Sequence, residues 1–231
     1  MSYALRSIAF VAELIHPPVV HEPKGLQALH GALFESDHSA YRDFRIVPGG
    51  AQFSNAAGGL PGQPVSVANV LADRIQVREE QTGASREEFE ARLATLAQNA
   101  LETLPMNLFM VQQFAVRSVI NPQTTNDARN FMLQTVFGYD ETLLGSFPAA
   151  PSLAGLRFTF PPAGEGQAVY NVRVESYSQD NRSLFLENVG TFGRPVAPGQ
   201  IEELVTRFGN TYEFLQDHLV TFVSQFDTGE H

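Results

Sequence analysis

Three arginines, Arg74, Arg117 and Arg173, stand inside strand-like stretches among apolar neighbours. Turned inward, each would need a carboxylate or a ligand, because an unpaired buried charge is very costly. Three converging guanidiniums would form an anion pocket, and Asn121, at the end of the stretch that holds Arg117, would add an amide. Turned outward, the same residues would lie on the wet face of a half-exposed antiparallel sheet. The alternation of Tyr170, Val172 and Val174 with Asn171, Arg173 and Glu175 favours that second placement. Arg74, Arg117 and Asn121 are the candidate ligand-binding residues.

Other chemistry is thinner. His16 and His21 flank a Pro-Pro bend with Glu22 beside them, and a loop would bring these three to an open metal site; two solvent-facing histidines beside a proline turn explain the pattern as well. His30 and His38 flank the end of the first helix, where a cation is favourable in any case. Lys24, near a helix start, is opposed by the helix dipole and would be a reactive amine there; otherwise it is a solvated lysine after Pro23. Ser146 has no Gly-x-Ser-x-Gly elbow around it and no partner histidine in sequence. Glu79-Glu80 and Glu87-Glu88 are adjacent, so they point apart or cap a helix instead of forming an acid/base couple. Neither the glycines at Gly58, Gly59 and Gly62 nor Gly164-Glu165-Gly166 leads into a helix as a phosphate or dinucleotide loop must. With no Cys, thiolate metal sites, disulfides and cysteine nucleophiles are excluded. The expectation is no catalytic residue, no metal and no cofactor.

These residues need elements to hold them. Ser7–Ile15 carries apolar residues on both faces, as a central strand does, and Pro17-Pro18 ends it. Pro23 suits a first helical position, and Leu26, Leu29 and Leu33 follow at helical spacing. Arg42–Val47 reads as a short strand, the Gly/Pro-rich 48–64 as a loop or a floppy hairpin tip, and Val65–Gln81 as extended, alternating most clearly over Arg74–Arg78. Ser85 and Glu88 form a capping box for a helix with Phe89, Leu93, Leu96, Ala100 and Leu104 on one face, ended by Pro105. The order then repeats: a strand over Leu108–Ile120, a helix capped by Asn126 or Asp127 and stopped by Gly138, strands over Leu156–Phe160, Ala168–Tyr177 and Ser183–Val189, and a final helix. The fold class is therefore α+β: two similar β-α-β-β-(β)-α halves, residues 1–105 and 106–231, with antiparallel sheets and a long C-terminal helix.

That last helix has the strongest period. Ile201, Val205, Phe208, Tyr212, Leu215, Leu219, Phe222 and Phe226 follow a strict heptad, widened by Leu204 and Val223. Glu202, Glu203, Glu213 and Asp217 fall outside the seam and should stay in water. The seam either packs within the chain, against the sheet or the helix of residues 86–104, or meets its copy in a dimer. Its many aromatics suit a sheet better than a slim coiled coil.

Five stretches taken in order, Arg74–Arg78 leading into Ser85–Leu93, Arg117–Asn121, Leu143–Phe147 and Ser183–Val189, resemble a sporadically distributed family of uncharacterised bacterial proteins of similar length. The resemblance covers residues 65–226. Val119-Ile120-Asn121 departs from it where an aromatic is usual, and Glu187-Asn188 where acids are usual. It implies bacterial origin and a two-repeat α+β fold, and adds no site.

The chain has 231 residues, 43% hydrophobic and 17% charged, a globular composition. Its net charge is −10, much of it on the tail through Glu202, Glu203, Glu213, Asp217, Asp227 and Glu230 against Arg207. Nucleic acid is disfavoured, since backbone binding needs a cationic surface, and two RNA-binding ferredoxin-like units rank third for that reason. Lys24 is the one lysine and the other basic residues are arginine, which codon bias explains as readily as bidentate recognition. The N-terminus lacks the long apolar stretch of a leader, and no run reaches the length of a bilayer span, so a cytoplasmic protein with no membrane is expected. Elimination leaves a non-catalytic binding or scaffold protein of a bacterial multi-protein system, meeting a protein partner or itself as a homo-oligomer. The alternative is an enzyme or small-ligand-binding protein with an anion pocket on strand arginines.

Overall fold

Alternation along Arg6–Ile15 (β1) places Phe10, Ala12 and Leu14 on one face and Ala9, Val11 and Glu13 on the other, and this strand lies near the middle of everything that follows. The computed structural model describes residues 3–36, 41–55, 63–139, 141–164 and 166–228. His38, Gly58, Gly59, Gly62, Glu165 and Glu230 lie outside them.

After β1 come α1 (Pro23–Phe34), β2 (Asp43–Val47), β3 (Gly50–Ser54), β4 (Val65–Leu71), β5 (Arg74–Glu80) and α2 (Arg86–Thr103). The second half supplies β6 (Val111–Ile120), α3 (Ala128–Asn130) running into a π-turn over Phe131–Val136, α4 (Glu141–Leu144), β7 (Gly155–Phe160), β8 (Val169–Ser176) and β9 (Leu184–Phe192). It closes with α5 (Glu202–Glu213), a second π-turn over Phe214–Leu219, and α6 (Val220–Ser224).

All nine strands form one antiparallel sheet in the order β2-β3-β4-β5-β1-β6-β9-β8-β7. From the centre outward the halves read β1-β5-β4-β3-β2 and β6-β9-β8-β7. In each, the first strand pairs with the last and the meander runs outward, with five strands in the first half and four in the second. Two separate sheets were expected; instead β1 pairs with β6 along its whole length, and the halves share a continuous sheet. The junction at residues 105–106 falls in the connection between α2 and β6.

The first half also holds one strand more than expected. The stretch 48–64 contains β3, because Gly49 takes a positive φ of 81° that turns the chain tightly. Gly50 then sits where any Cβ would overlap the Val70 carbonyl. Of the two readings of 48–64, loop or hairpin tip, the structure gives a hairpin at Gly49-Gly50.

Local signals set the helix ends. Ser85 accepts from the Glu88 backbone N–H at 3.2 Å and Glu88 accepts from that of Ser85 at 2.8 Å, closing the capping box. Asp127, rather than Asn126, caps α3 by accepting from the Asn130 N–H at 2.9 Å.

The helices cover one face of the sheet and leave the other bare among the described residues. Between the layers, Phe10, Phe89, Phe114 and Phe208 bring β1, α2, β6 and α5 together, with Phe89 and Phe208 ring centres 4.7 Å apart. Each such pair adds about 0.5–1.5 kcal/mol beyond its buried area, and this one cluster joins both halves in one core.

The C-terminal stripe packs within the chain. Phe208, Leu215 and Leu219 are buried, whereas Ile201, Val205, Tyr212, Phe222 and Phe226 are half-buried. Glu202, Glu203, Glu213 and Asp217 are exposed. The most buried line differs from the heptad: it runs through Leu204, Phe208, Thr211, Leu215, Leu219 and Val223. The π-turn is the cause, since its i→i+5 bonds take up an extra residue and let i+4 spacing hold one face where a regular helix would drift.

Candidate functional site

The bare face of the sheet is where the strand arginines lie. Register fixes this: Ala9 opposes both Glu80 and Arg117, Arg117 opposes Glu187, and Glu187 opposes Arg173. Five neighbouring strands thus form one row, four of them presenting charged side chains and β1 the small Ala9. Arg117 donates from Nε to Glu187 at 2.7 Å and reaches Glu80 from Nη1 at 3.5 Å. Arg173 lies 3.4 Å from the other Glu187 oxygen and 3.6 Å from Glu175, and Arg78 lies 3.9 Å from Glu80.

A cleft of about 660 Å³ opens over this row. Its floor is Arg78, Glu80, Arg117 and Arg173, and one wall is the stacked pair Tyr177 and Phe185, with rings 5.9 Å apart and 18° from parallel. The Arg173 guanidinium lies 4.7 Å over the Phe185 ring, a cation–π contact. The cleft forms where the β1–β6 register shifts between Ser7 and Ala9.

Of the candidate residues, the structure brings Arg117 and Arg173 together and leaves Arg74 apart. Arg74 opposes Ile15 at the far end of β1, pairing with Glu13 at 2.7 Å and Asp73 at 2.8 Å. Those two carboxylates raise its pKa, and Arg74 in turn holds Asp73 below the usual carboxylate range. Asn121 is also apart from Arg117: its amide oxygen accepts from the Ser183 hydroxyl at 2.7 Å, tying the end of β6 to the turn before β9. Arg78 takes the place in the cleft that Arg74 was expected to hold. Its exposed position in the same alternating stretch was readable, but only cross-strand register shows which arginine of that stretch faces Arg117.

With Arg78, Arg117 and Arg173 against Glu80, Glu175 and Glu187, the cleft is near charge balance. Every one of these arginines has a carboxylate within 4 Å, so the arrangement offers paired, exchangeable hydrogen-bonding groups instead of a bare cationic hole. Partly exposed pairs of this kind are worth about 0–1 kcal/mol each, so a partner can break them at small cost.

The remaining motifs are occupied structurally. His16, fully buried, donates from Nδ1 to the Pro17 carbonyl at 2.8 Å, and His21 from Nε2 to that of Leu71 at 2.9 Å. These bonds make both rings backbone braces, and burial lowers the pKa of His16. Among the described residues no group of three His, Cys, Asp or Glu side chains converges as a metal centre. Lys24 and Ser146 are exposed, and the Ser146 hydroxyl donates to Leu143 O. Glu79 and Glu80 do point apart: Glu80 joins the bare face, whereas Glu79 is buried under α2, accepting from Ser66 at 2.5 Å with Arg92 at 3.2 Å. Among the described residues no helix is long and apolar enough to cross a membrane.

No family model matches the chain, and no curated protein matches it. Among solved structures, the di-domain ARO/CYC BexL from the BE-7585A biosynthetic pathway aligns over 100% of both chains at 10% identity, with a TM-score of 0.27, a similarity too slight to assign fold or function.

Proposed function

We propose that this is a non-catalytic binding or scaffold protein of a bacterial multi-protein system, that it self-associates, and that its bare sheet face receives the protein partner. The observation that carries the reading is the row Glu80–Arg117–Glu187–Arg173 with its aromatic wall. It presents many hydrogen-bonding groups, already paired, at the foot of an open cleft. Nothing in it is set up as a nucleophile beside a base, which acyl or group transfer requires. The near balance of charge disfavours the alternative of an anion pocket on strand arginines.

Self-association would then use the open sheet edge at β2, because the C-terminal stripe is used against the chain's own sheet. An unpaired edge is a ready template for another strand, and Ile46 on β2 is 54% exposed. Light scattering over a range of concentrations tests this. The expected mass exceeds the 25.4 kDa of one chain and returns to it in Ile46→Lys, which keeps its circular dichroism. A single-chain mass at every concentration overturns self-association.

A further inference from the structure

On the other side of the sheet, Arg207 of α5 is a buried guanidinium whose nearest carboxylate partner is half-exposed. Its side chain is only 7% exposed. One nitrogen, Nη1, donates to the Gln112 side chain and to the Arg194 carbonyl, the latter at 2.7 Å. Both acceptors are neutral. The nearest carboxylate among the described residues is Glu203, 3.6 Å from Nη2, on a side chain 55% exposed to water. That single carboxylate stands half in water, and a second arginine, Arg194, adds like charge. Burial correspondingly lowers the Arg207 pKa.

The guanidinium lines a cleft of about 550 Å³ between α5 and the ends of β7, β8 and β9. The walls are aromatic. Tyr170 and Phe214 stack with ring centres 4.2 Å apart and planes 23° from parallel, Phe160 lies 5.4 Å from Phe214, and Phe192 stands at 90° to Tyr170. Phe160 is 42% exposed, an apolar ring left facing water at the rim. A planar fork held by two neutral acceptors and one half-exposed carboxylate, beside a set of flat apolar rings, is complementary to a ligand that is charged at one end and flat at the other.

We propose that this cleft binds an organic anion, a carboxylate carried on an aromatic or other flat apolar body, with the carboxylate on Arg207 and the body against Tyr170, Phe214 and Phe160. The site goes beyond the partner-binding reading and does not depend on it. No sequence motif announces it; the signal is an arginine within the buried stripe, between Leu204, Phe208 and Thr211.

Calorimetric titration of the full chain with 2-naphthoate, and with uncharged 2-naphthamide as its twin, tests the assignment. The naphthoate should bind saturably and the amide about tenfold more weakly or worse, the loss of a charge-assisted hydrogen bond. Arg207→Met should lose the difference between the two probes. Should Arg207→Met fail to fold, Thr206→Trp, at an exposed position of the rim, should block both probes in a folded protein. Lys24→Ala, at an exposed position outside both clefts, should bind naphthoate as the wild type does. Equal binding of the two probes, no saturable binding of naphthoate, undiminished binding in Arg207→Met or Thr206→Trp, or loss of binding in Lys24→Ala would each overturn the assignment.

Discussion

The two faces of the sheet are built from the same strands by opposite rules. Toward the helices, Phe10, Phe114, Val116, Leu186 and Phe192 are buried with ring and methyl contacts. Toward solvent, Glu13, Arg74, Gln76, Arg117, Glu187 and Arg173 pair sideways across strand borders. One residue's step along a strand moves a side chain from one set to the other. The covered face holds the fold together with terms of several kcal/mol per residue; the bare face holds pairs worth little to the fold and is free to be spent on a partner. The comparison predicts how substitutions should rank.

The largest effect belongs to Leu215→Asp. Leu215 belongs to the second π-turn and is fully buried, and an unpaired carboxylate there would cost several kcal/mol out of a total stability of about 5–15. The variant should lose its helical circular dichroism at room temperature. A folded Leu215→Asp protein with unchanged melting temperature would mean that the covered face is not what holds the halves together.

Phe208→Ala should follow, at about 3–5 kcal/mol, because the ring touches Phe10, Phe89 and Phe114 at once. Urea unfolding should show one transition shifted to lower midpoint. Two transitions would show the halves to be separable, against the shared cluster.

How much of this was legible follows from range. The capping box of α2 was readable because its partners, Ser85 and Glu88, are three residues apart. The β-α order of both halves was readable because apolar period is local. β3 was not, because Gly49 and Gly50 look the same in a loop as in a hairpin until Val70 is known to lie against Gly50. The shift of the C-terminal stripe from Val205 and Phe222 to Leu204 and Val223 follows from a π-turn, which has no strong sequence sign. The pairing of Arg117 with Glu187 spans 70 residues and rests on the register of β6 with β9, which neither strand reveals alone. Arg207 was visible as a residue but entered only the charge sum.

Two buried carboxylates sharpen the comparison through pH. Asp227 accepts from Tyr3 at 2.5 Å, from the Gln123 N–H at 2.6 Å, and from the Thr124 N–H and hydroxyl, pinning the chain end to both halves. Burial alone would raise its pKa, but these hydrogen bonds hold it below the usual carboxylate value. Its contribution is therefore full above about pH 4, the unfolded value, and is lost as pH falls through the lower folded one. Asp227→Asn should cost about 1–3 kcal/mol at neutral pH and flatten the acid limb of stability. Glu79 has the opposite sign. Burial, its largest influence, raises its pKa despite Ser66 and Arg92, so its contribution is full below about pH 4.3 and is lost as pH rises through the folded value. Glu79→Gln, measured by urea unfolding across pH, should remove that decline and leave neutral-pH stability level or higher. A steeper decline in Glu79→Gln would show that Arg92 outweighs burial there.

The smallest effect should come from the bare face. Arg117→Ala and Arg173→Ala each remove partly exposed ion pairs, worth up to about 1 kcal/mol. Both arginines meet on Glu187, at 2.7 and 3.4 Å, so the two losses should not add: when one arginine is gone the other can take both carboxylate oxygens, and the second substitution exposes what the first concealed. The double variant should therefore lose more than the sum of the singles, yet stay far above the loss from Phe208→Ala. Arg173 also leaves Phe185 and its cation–π contact, so Arg173→Lys should recover part of its single loss and Arg117→Lys less. If instead either single variant unfolds, the ion pairs hold the sheet after all, and the bare face is not free for a partner.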